Sequence, residues 1–249
     1  MADIFSAQGL GGLVRLAAVP AALAFDLDGT LAPIVSDPEN ARVPESTGLL
    51  LTALSRRWPL AILTGRTMAD ARQRLGFSPH YLYGNHGAER ANGIHCPTWR
   101  MQLNPCRDHL RCLHSELALR KVVVEDKGLS LALHYRANPG ATTIAWLDAL
   151  IAAVSSTVDT SHGHHVMNIM PKNAPDKGDA LLEVLQDCGA VQAFMMGDDV
   201  NDECAFDKAP PGSITVRIGP LQLPSKAQFT LAAQCKVDEL LATLLTLRR

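Results

Sequence analysis

Ala22-Leu-Ala-Phe25 runs directly into Asp26-Leu-Asp28-Gly-Thr30, and the reading of the whole chain turns on this stretch. Four apolar residues that stop at two acids read as a buried strand whose carboxyl end carries polar groups. Gly29 lets the backbone bend sharply there, because glycine enters the left-handed region without steric cost. The spacing sets two carboxylates about one tight bend, so that one can attack while the other moves a proton. Thr30 adds a hydroxyl.

Outward from this strand, apolar runs alternate with helix-like stretches, which predicts an α/β sheet with mostly parallel strands. Pro44 opens a helix with Leu50, Leu51, Leu54 and Trp58 at its apolar positions. Leu60–Leu63 is the next strand, ending at Thr64-Gly65-Arg66, and Thr67 caps a helix that runs to Leu75. Tyr81–Tyr83 is a third strand, ending at Gly84-Asn-His-Gly87. The middle of the chain reads differently. A helix over Cys106–Leu119 precedes strands at Lys121–Val124 and Leu129–Leu133, joined by Glu125-Asp-Lys-Gly128 as a hairpin. A helix over Thr142–Val154 and a strand at His165–Met170 follow. After Pro171 the α/β rhythm resumes: a helix over Lys177–Cys188 ended by Gly189, a strand at Ala193–Met196 and a short helix over Asp202–Ala209. A strand at Ile214–Ile218 and an amphipathic helix over Val237–Leu247 complete it. The expected organisation is a core in two pieces, 1–98 and 172–249, interrupted by a small α+β unit at 99–171.

The chain has 249 residues, 47% hydrophobic and 19% charged, which is enough apolar material for a sizeable core. A net charge of -2 provides no basic footprint for nucleic acid. A small anion, which needs only local positive charge, stays in play. The six cysteines form no C-x-x-C pair and read as free thiols in a reducing compartment. Met1–Leu23 is apolar but contains Asp3 and no basic n-region, so it does not read as an export signal. No apolar run is long enough to span a membrane. The expected location is cytoplasmic, with neither membrane nor nucleic acid as a partner.

Polar residues recur just beyond several strands, where open parallel sheets bind their ligands. Asp26 and Asp28 follow the first strand, Thr64 the second, and Asp198, Asp199 and Asp202 the strand at 193–196, while Lys177 begins a helix. Carboxylates meeting at one rim repel each other unless a cation joins them. Hard oxygen donors alongside a phosphate favour Mg²⁺ over zinc or calcium.

Asp26-Leu-Asp-Gly-Thr30, Thr64-Gly-Arg66, Lys177 and Gly197-Asp-Asp-Val-Asn-Asp202 resemble, in order, the four motifs of the haloacid dehalogenase superfamily. The length between Thr64 and Lys177 resembles members with a large cap inserted at that point. Gly84-Asn-His-Gly-Ala-Glu89, Glu125-Asp-Lys-Gly128, Leu133-His-Tyr-Arg136 and Gly197–Glu203 resemble the trehalose-6-phosphate phosphatase family, and the likeness extends over nearly the whole chain from Ala22. It implies a Rossmann-like core with a parallel sheet, an inserted α+β cap closing over the active site, and Mg²⁺-dependent hydrolysis of a sugar phosphate through an aspartyl-phosphate.

Carried onto this sequence, the resemblance makes Asp26 the nucleophile and Asp28 the general acid, then base. Asp26, the backbone carbonyl of Asp28 and Asp198 would hold Mg²⁺, with Asp202 in support. Thr64 and Lys177 would bind the phosphoryl oxygens. The implied substrate contacts are Thr30, Gly65, Arg66, His86, Glu125, Lys127, His134, Arg136 and Asn168. The chemistry is consistent with this set, because phosphoryl transfer needs positioning and charge neutralisation more than elaborate covalent machinery. One departure concerns Val166-Met-Asn-Ile-Met-Pro171, which places Asn168 where the family commonly has Glu. That keeps another sugar phosphate, such as mannosyl-3-phosphoglycerate, open as the substrate. A non-catalytic sugar-phosphate sensor is the remaining rival. No glucosyltransferase segment is recognisable, so a separate synthase is the expected pathway partner.

Plainer readings stand beside several of these. Asp199 reads equally as a metal contact or as a residue that orients Lys177 or caps the next helix. Glu203 reads as a first-turn carboxylate favoured by the helix dipole. His86 reads as a structural histidine or a sugar contact, and Glu125, Lys127, His134 and Arg136 as a solvated hairpin face or substrate contacts. His162, His164 and His165 read as a surface loop.

Overall fold

In a computed structural model, residues 1–91, 97–135, 141–154, 156–163, 165–220 and 224–247 are described. The chain separates into two units, Met1–Ala91 with Pro175–Arg249, and Asn92–Ala174. The first opens with β1 (Ala2–Asp3), α1 (Ala7–Ala17), β2 (Ala21–Phe25), α2 (Glu45–Ser55) and β3 (Leu60–Leu63). It continues with α3 (Met68–Leu75), β4 (Tyr81–Gly84) and β5 (Glu89–Arg90). Thr67 caps α3 as its sequence predicts, its side chain accepting from the Asp70 amide.

The second unit holds α4 (Pro97–Gln102), α5 (Asn104–Cys112), α6 (His114–Leu119), β6 (Val122–Asp126) and β7 (Leu131–Tyr135). It ends with α7 (Ala141–Val154), β8 (Val158–Gly163) and β9 (Val166–Pro171). The chain then returns to the first unit as α8 (Lys177–Cys188), β10 (Gln192–Gly197), α9 (Glu203–Lys208), β11 (Ile214–Ile218), β12 (Phe229–Leu231) and α10 (Val237–Leu247).

Strand order in the first unit is β1-β12-β11-β10-β2-β3-β4-β5, parallel throughout except for the β4–β5 pair. From β2 the chain moves outward one way through β3 and β4; on returning it starts beside β2 at β10 and moves the other way. The order therefore reverses between β2 and β10, and a crevice opens at the carboxyl ends of strands where such a reversal occurs. The Asp26 amide donates to the Met196 carbonyl at 2.9 Å, so these two strands are joined as far as that crevice.

Both faces of the sheet are buried, and alternate residues serve different layers. Leu23, Phe25, Leu60, Ile62, Phe194 and Met196 belong to the apolar cluster that also contains Leu51, Leu54, Leu240 and Leu244 from α2 and α10. The other face offers Ala22, Ala24, Ala61 and Ala193 to Ala180, Leu181, Val184 and Leu185 of α8. Small residues on the strands let α8 lie close to the sheet, and α8 carries Lys177. Phe25 and Phe194 meet with ring centroids 5.7 Å apart and a 51° tilt.

The second unit has its own four-stranded antiparallel sheet, ordered β6-β7-β9-β8, with its own core including Leu110, Leu131, Leu133, Leu147, Met167 and Ile169. The hairpin lies two residues later than its sequence suggests. Glu125 and Asp126 are strand residues, and the link closes with the Lys127 amide donating to the Ser130 carbonyl at 3.0 Å. The helix read over Cys106–Leu119 is two, α5 and α6, meeting at Leu113. β8, Val-Asp-Thr-Ser-His-Gly, gave no strand signal because an edge strand with one partner needs little apolar alternation. α1 was likewise silent, since its three glycines lower helix propensity. Two of them are there for packing: a Cβ on Gly9 would collide with the Ile4 carbonyl, and one on Gly12 would lie 2.8 Å from the Ile214 side chain.

Phe194, on β10, is fully buried at the centre of the first unit's eight-stranded sheet. Phe194→Ala is expected to cost about 3–5 kcal/mol by losing transfer energy and opening a cavity. Urea unfolding measures it, and a loss under about 1 kcal/mol would show that the strand is not packed as described.

Candidate active site

The crevice at the strand reversal is where the acids collect. Asp26 leaves β2 with 5% of its surface exposed, Lys177 is 3% exposed, and Asp202 is fully buried. The Lys177 ammonium donates to Asp26 Oδ1 at 2.6 Å and to Asp202 Oδ1 at 2.7 Å. Burial alone would lower the Lys177 pKa, but Asp202 and Asp26 outweigh it and raise it, so the ammonium is held charged. Asp176 fixes the start of α8 through a reciprocal cap: its side chain accepts from the Asp179 amide at 2.9 Å, and Asp179 accepts from the Asp176 amide at 3.1 Å.

Asp198 and Asp202 come from the turn after β10. Asp202 Oδ2 accepts from the amides of Asp198 and Asp199, both at 3.0 Å, which fixes the turn around its carboxylate. Asp198 Oδ1 accepts from the Thr30 hydroxyl at 3.1 Å. Gly29 has φ +80°, and a Cβ there would strike the Asp198 carboxylate; glycine is needed for both reasons. Carboxylate oxygens of Asp26, Asp198 and Asp202 lie within 4.8 Å of one another. Burial pushes the Asp198 carboxyl up to about 7, with Asp202 adding to the effect, and burial likewise raises Asp26 well above the ordinary range against the pull of Lys177. The three acids together could hold a cation, whose charge would favour the ionised forms of Asp26 and Asp198.

Asp28 lies in a different environment. Its side chain is 38% exposed and its carboxylate faces Arg66, with Nε–H donating at 2.6 Å and Nη2–H at 2.7 Å. Arg66 Nη1 reaches Asp70 at 2.6 Å, and Arg74, its side chain 2% exposed, also pairs with Asp70. Thr64 is fully buried, its hydroxyl oxygen accepting from the Arg66 amide at 3.1 Å. The Gly84–Gly87 turn docks onto this segment: the Asn85 amide donates to the Arg66 carbonyl at 2.8 Å and the His86 amide to the Thr64 carbonyl at 2.9 Å. The buried His86 ring packs over Gly65, where a Cβ would lie 2.5 Å from its Cε1. Asn85 and His86 both have positive φ, 47° and 60°, a strained conformation for residues with side chains.

The structure thus brings Asp26, Asp198, Asp202, Lys177 and Thr30 into direct contact, with Asp28 bonded to Arg66 and Thr64 bonded to the Arg66 amide. Asp199 takes the capping role: it accepts from the Val200 amide at 2.8 Å and from the Asn201 side chain at 3.2 Å. Glu203 accepts from Arg217 at 2.8 Å and from the Lys226 amide at 2.7 Å, tying down a neighbouring loop.

In the second unit the strand register aligns Glu125, Ala132, Asn168 and Ser161 in one row, with His134 on the same face. This is the face opposite the core residues Leu131, Leu133, Met167 and Ile169. His134 and Glu125 share a hydrogen bond of 2.8 Å, Lys127 lies 3.7 Å from Glu125, and Asn168 is 4% exposed. Arg136 and His164 lie outside the described residues. His162 bonds to Asp148 at 2.8 Å and to Tyr135 at 3.2 Å, and so helps hold β8 to α7.

Sequence reading missed Asp70, Arg74 and Glu89. Glu89 Oε2 accepts from the Met68 amide at 2.9 Å and from Asn85 at 2.8 Å, joining the start of α3 to the His86 turn. A signal for the first two was present. Arg66, Asp70 and Arg74 recur every four residues with alternating sign, the spacing of a ladder on one helical face.

The sequence profile of the family described as trehalose-phosphatase matches residues 24–234. A trehalose-phosphate phosphatase of Mycolicibacterium paratuberculosis is 33% identical over 230 residues, an alignment covering 85% of this chain and 55% of that protein. One from Mycobacterium tuberculosis is 31% identical over 231 residues, covering 84% and 56%. The chain thus spans about half the length of these curated relatives. Among solved structures, the C-terminal domain of C. albicans trehalose-6-phosphate phosphatase superposes with TM-score 0.80 at 19% identity, covering 95% of this chain and 96% of that one. A sucrose-phosphatase from Synechocystis superposes with TM-score 0.58 at 19% identity, covering 91% and 98%. The fold is that of the haloacid dehalogenase-like proteins. Among the described residues, no helix is long and apolar enough to cross a membrane.

Asp70 provides a test of the ladder. Burial would raise its pKa, but hydrogen bonds from Arg74 and Arg66 lower it instead. A lowered folded value means that its contribution to stability is present above the unfolded carboxylate pKa, about 3.9, and is lost as pH falls through the folded one. Asp70→Asn is therefore expected to be less stable than the native chain at pH 7, with the gap narrowing as the pH is lowered through about 4. Urea midpoints at neutral and acid pH measure this; an unchanged gap rules out an ionised Asp70 at the centre of the ladder.

Proposed function

This chain belongs to the trehalose-phosphatase family, and on that premise we propose that it hydrolyses trehalose 6-phosphate to trehalose and phosphate in a Mg²⁺-dependent reaction. The observation that carries the proposal is the buried Lys177 ammonium bonded to Asp26, with two more carboxylates closing the same crevice. A buried acid beside a fixed cation and a second cation site is what an attacking carboxylate needs when its target is a phosphate dianion.

The donor set suits Mg²⁺: carboxylate oxygens within 4.8 Å of one another, with no sulfur or imidazole among them. Asp26, Asp198 and the backbone carbonyl of Asp28 would hold the ion, with Asp202 behind them. When bound, it neutralises charge on the phosphoryl group. An Asp26 oxygen attacks phosphorus, the bond from phosphorus to the sugar oxygen breaks, and Asp28 gives that oxygen its proton. Water then attacks the aspartyl-phosphate and returns a proton to Asp28, which frees Asp26 and phosphate. Lys177 retains one N–H beyond its two carboxylate bonds, and with Thr64 it holds the phosphoryl oxygens through both halves.

The second unit, in this proposal, is a cap that reads the sugar through Glu125, Lys127, His134 and Asn168, while Gly65 and His86 lie next to Thr64 in the first unit. Asn168 supports a second reading. A buried amide recognises a sugar hydroxyl without charge, which favours a different sugar phosphate such as mannosyl-3-phosphoglycerate. The reaction would be the last step of trehalose formation, fed by a separate synthase. The cytoplasm is the proposed location, supported by Cys106, Cys112, Cys188, Cys204 and Cys235 being free thiols.

Phosphate release from a panel of sugar phosphates tests the reading. Trehalose 6-phosphate is expected to be the best substrate, activity is expected to stop on chelation and return with Mg²⁺, and Asp26→Asn is expected to abolish turnover with the fold intact. Normal turnover by that variant would remove Asp26 as the nucleophile; preference for another sugar phosphate would favour the second reading.

A further inference from the structure

The Asp28 carboxylate is exposed enough to rotate, yet proton transfer to a departing sugar oxygen requires it to be aimed. Arg66 places two parallel N–H donors on its two oxygens, at 2.6 and 2.7 Å. A bidentate guanidinium pair fixes the plane of a carboxylate as a single ammonium cannot. Each Asp28 oxygen keeps a lone pair for the moving proton, because an ionised carboxylate has about four acceptor sites and Arg66 fills two.

Arg66 is committed to the protein. Its Nη1 donates to Asp70 at 2.6 Å, and its Nη2 also donates to the Pro38 carbonyl at 3.0 Å. Four of its five N–H groups thus have protein acceptors. Asp70 is held by Arg74 Nε at 2.8 Å, and Arg74 Nη1 donates to the carbonyls of Pro38, Glu39 and Ala41 at 3.0, 2.7 and 3.3 Å. A chain of directed bonds therefore runs from the buried Arg74 through Asp70 and Arg66 to Asp28.

We infer that Arg66 is a positioning residue for proton transfer by Asp28, oriented in turn by Asp70 and Arg74, and that it is not a ligand for the sugar phosphate. This rests on Asp28 acting as the acid and base of the proposed phosphatase reaction. The readout is the leaving group. A sugar alkoxide must be protonated as it departs, whereas p-nitrophenolate leaves without help, and kcat/KM reports the steps up to transfer of the phosphoryl group to Asp26.

The experiment compares the native chain, Arg66→Met, Arg66→Lys and Asp70→Asn on p-nitrophenyl phosphate and on whichever sugar phosphate the native chain hydrolyses fastest, with circular dichroism checking the fold. For Arg66→Met, kcat/KM on the sugar phosphate is expected to fall about a hundredfold, and on p-nitrophenyl phosphate by less than about fivefold. Arg66→Lys is expected to recover part of the loss, since it keeps the charge but not the fork. Asp70→Asn, which retains Arg66 without its orienting partner, is expected to shift the same ratio in the same direction by a smaller factor, so the idea is testable even if Arg66→Met misfolds. Equal losses on both substrates would reduce Arg66 to a structural role. Sugar-phosphate affinity is measured separately on an Asp26→Asn background, where addition of Arg66→Met is expected to leave it unaltered; a tenfold or greater weakening, about 1.4 kcal/mol, would make Arg66 a substrate ligand and overturn the inference. Failure of the proposed substrate is read from the native chain alone and leaves the ratio test intact.

Discussion

Lys177 joins two acids that would otherwise repel each other in a buried crevice, and much of the first unit is arranged so that it can. Its position opposes local preference: a lysine in the first turn of a helix faces the positive end of the helix dipole. Burying an ammonium also costs several kcal/mol unless its partners are well placed. Both penalties are met by Asp26 and Asp202 at 2.6 and 2.7 Å, which arrive from opposite sides of the strand reversal. The alanines at 22, 24, 61 and 193 belong to the same arrangement, because larger side chains on that face would push α8 away from the strands.

The two acids of the Asp26-Leu-Asp28 stretch are separated by a bend, and their surroundings divide their chemistry. Asp26 is buried among charges, bonded to Lys177 and close to Asp198 and Asp202. Asp28 is partly exposed, outside that cluster, and gripped by an arginine that also donates to Asp70 and to the Pro38 carbonyl. Two carboxylates of the same type, two positions apart, are thus given different environments, which suit the different tasks proposed for them. The Gly84–Gly87 turn, bonded to the backbone of Thr64 and Arg66, links this second environment to the buried His86.

Much of this was legible in the chain. Long, uniform signals were read at the right places: β3, β11, α8 and α10 fall where apolar runs and caps put them, and Thr67 and Gly189 end their elements by the capping chemistry their residue types carry. Elements that depend on partners were not. α1 is held by Ser6 and by packing that its glycines permit, and β8 is a polar edge strand that exists because β9 offers it hydrogen bonds. Arg66 was read as a substrate contact from the motif likeness; that its donors go to Asp28, Asp70 and Pro38 is set by residues four to 38 positions away.

The sequence by itself determined the kinds of group available and the succession along the chain of the segments that carry them: acids and a hydroxyl after β2, a hydroxyl after β3, a lysine opening α8, and acids after β10. Local spacing suffices for that, since period, caps and turns are encoded within a few residues. Tertiary structure alone decided which acid faces which cation. Lys177 lies 151 positions from Asp26 and only 25 from Asp202, and no local rule gives it both. That pairing follows from the order of strands within the sheet and from the closeness of a helix to it, which are properties of packing between distant segments; the same packing buries Asp198, whose carboxyl rises for that reason, and leaves Asp28 partly exposed against Arg66.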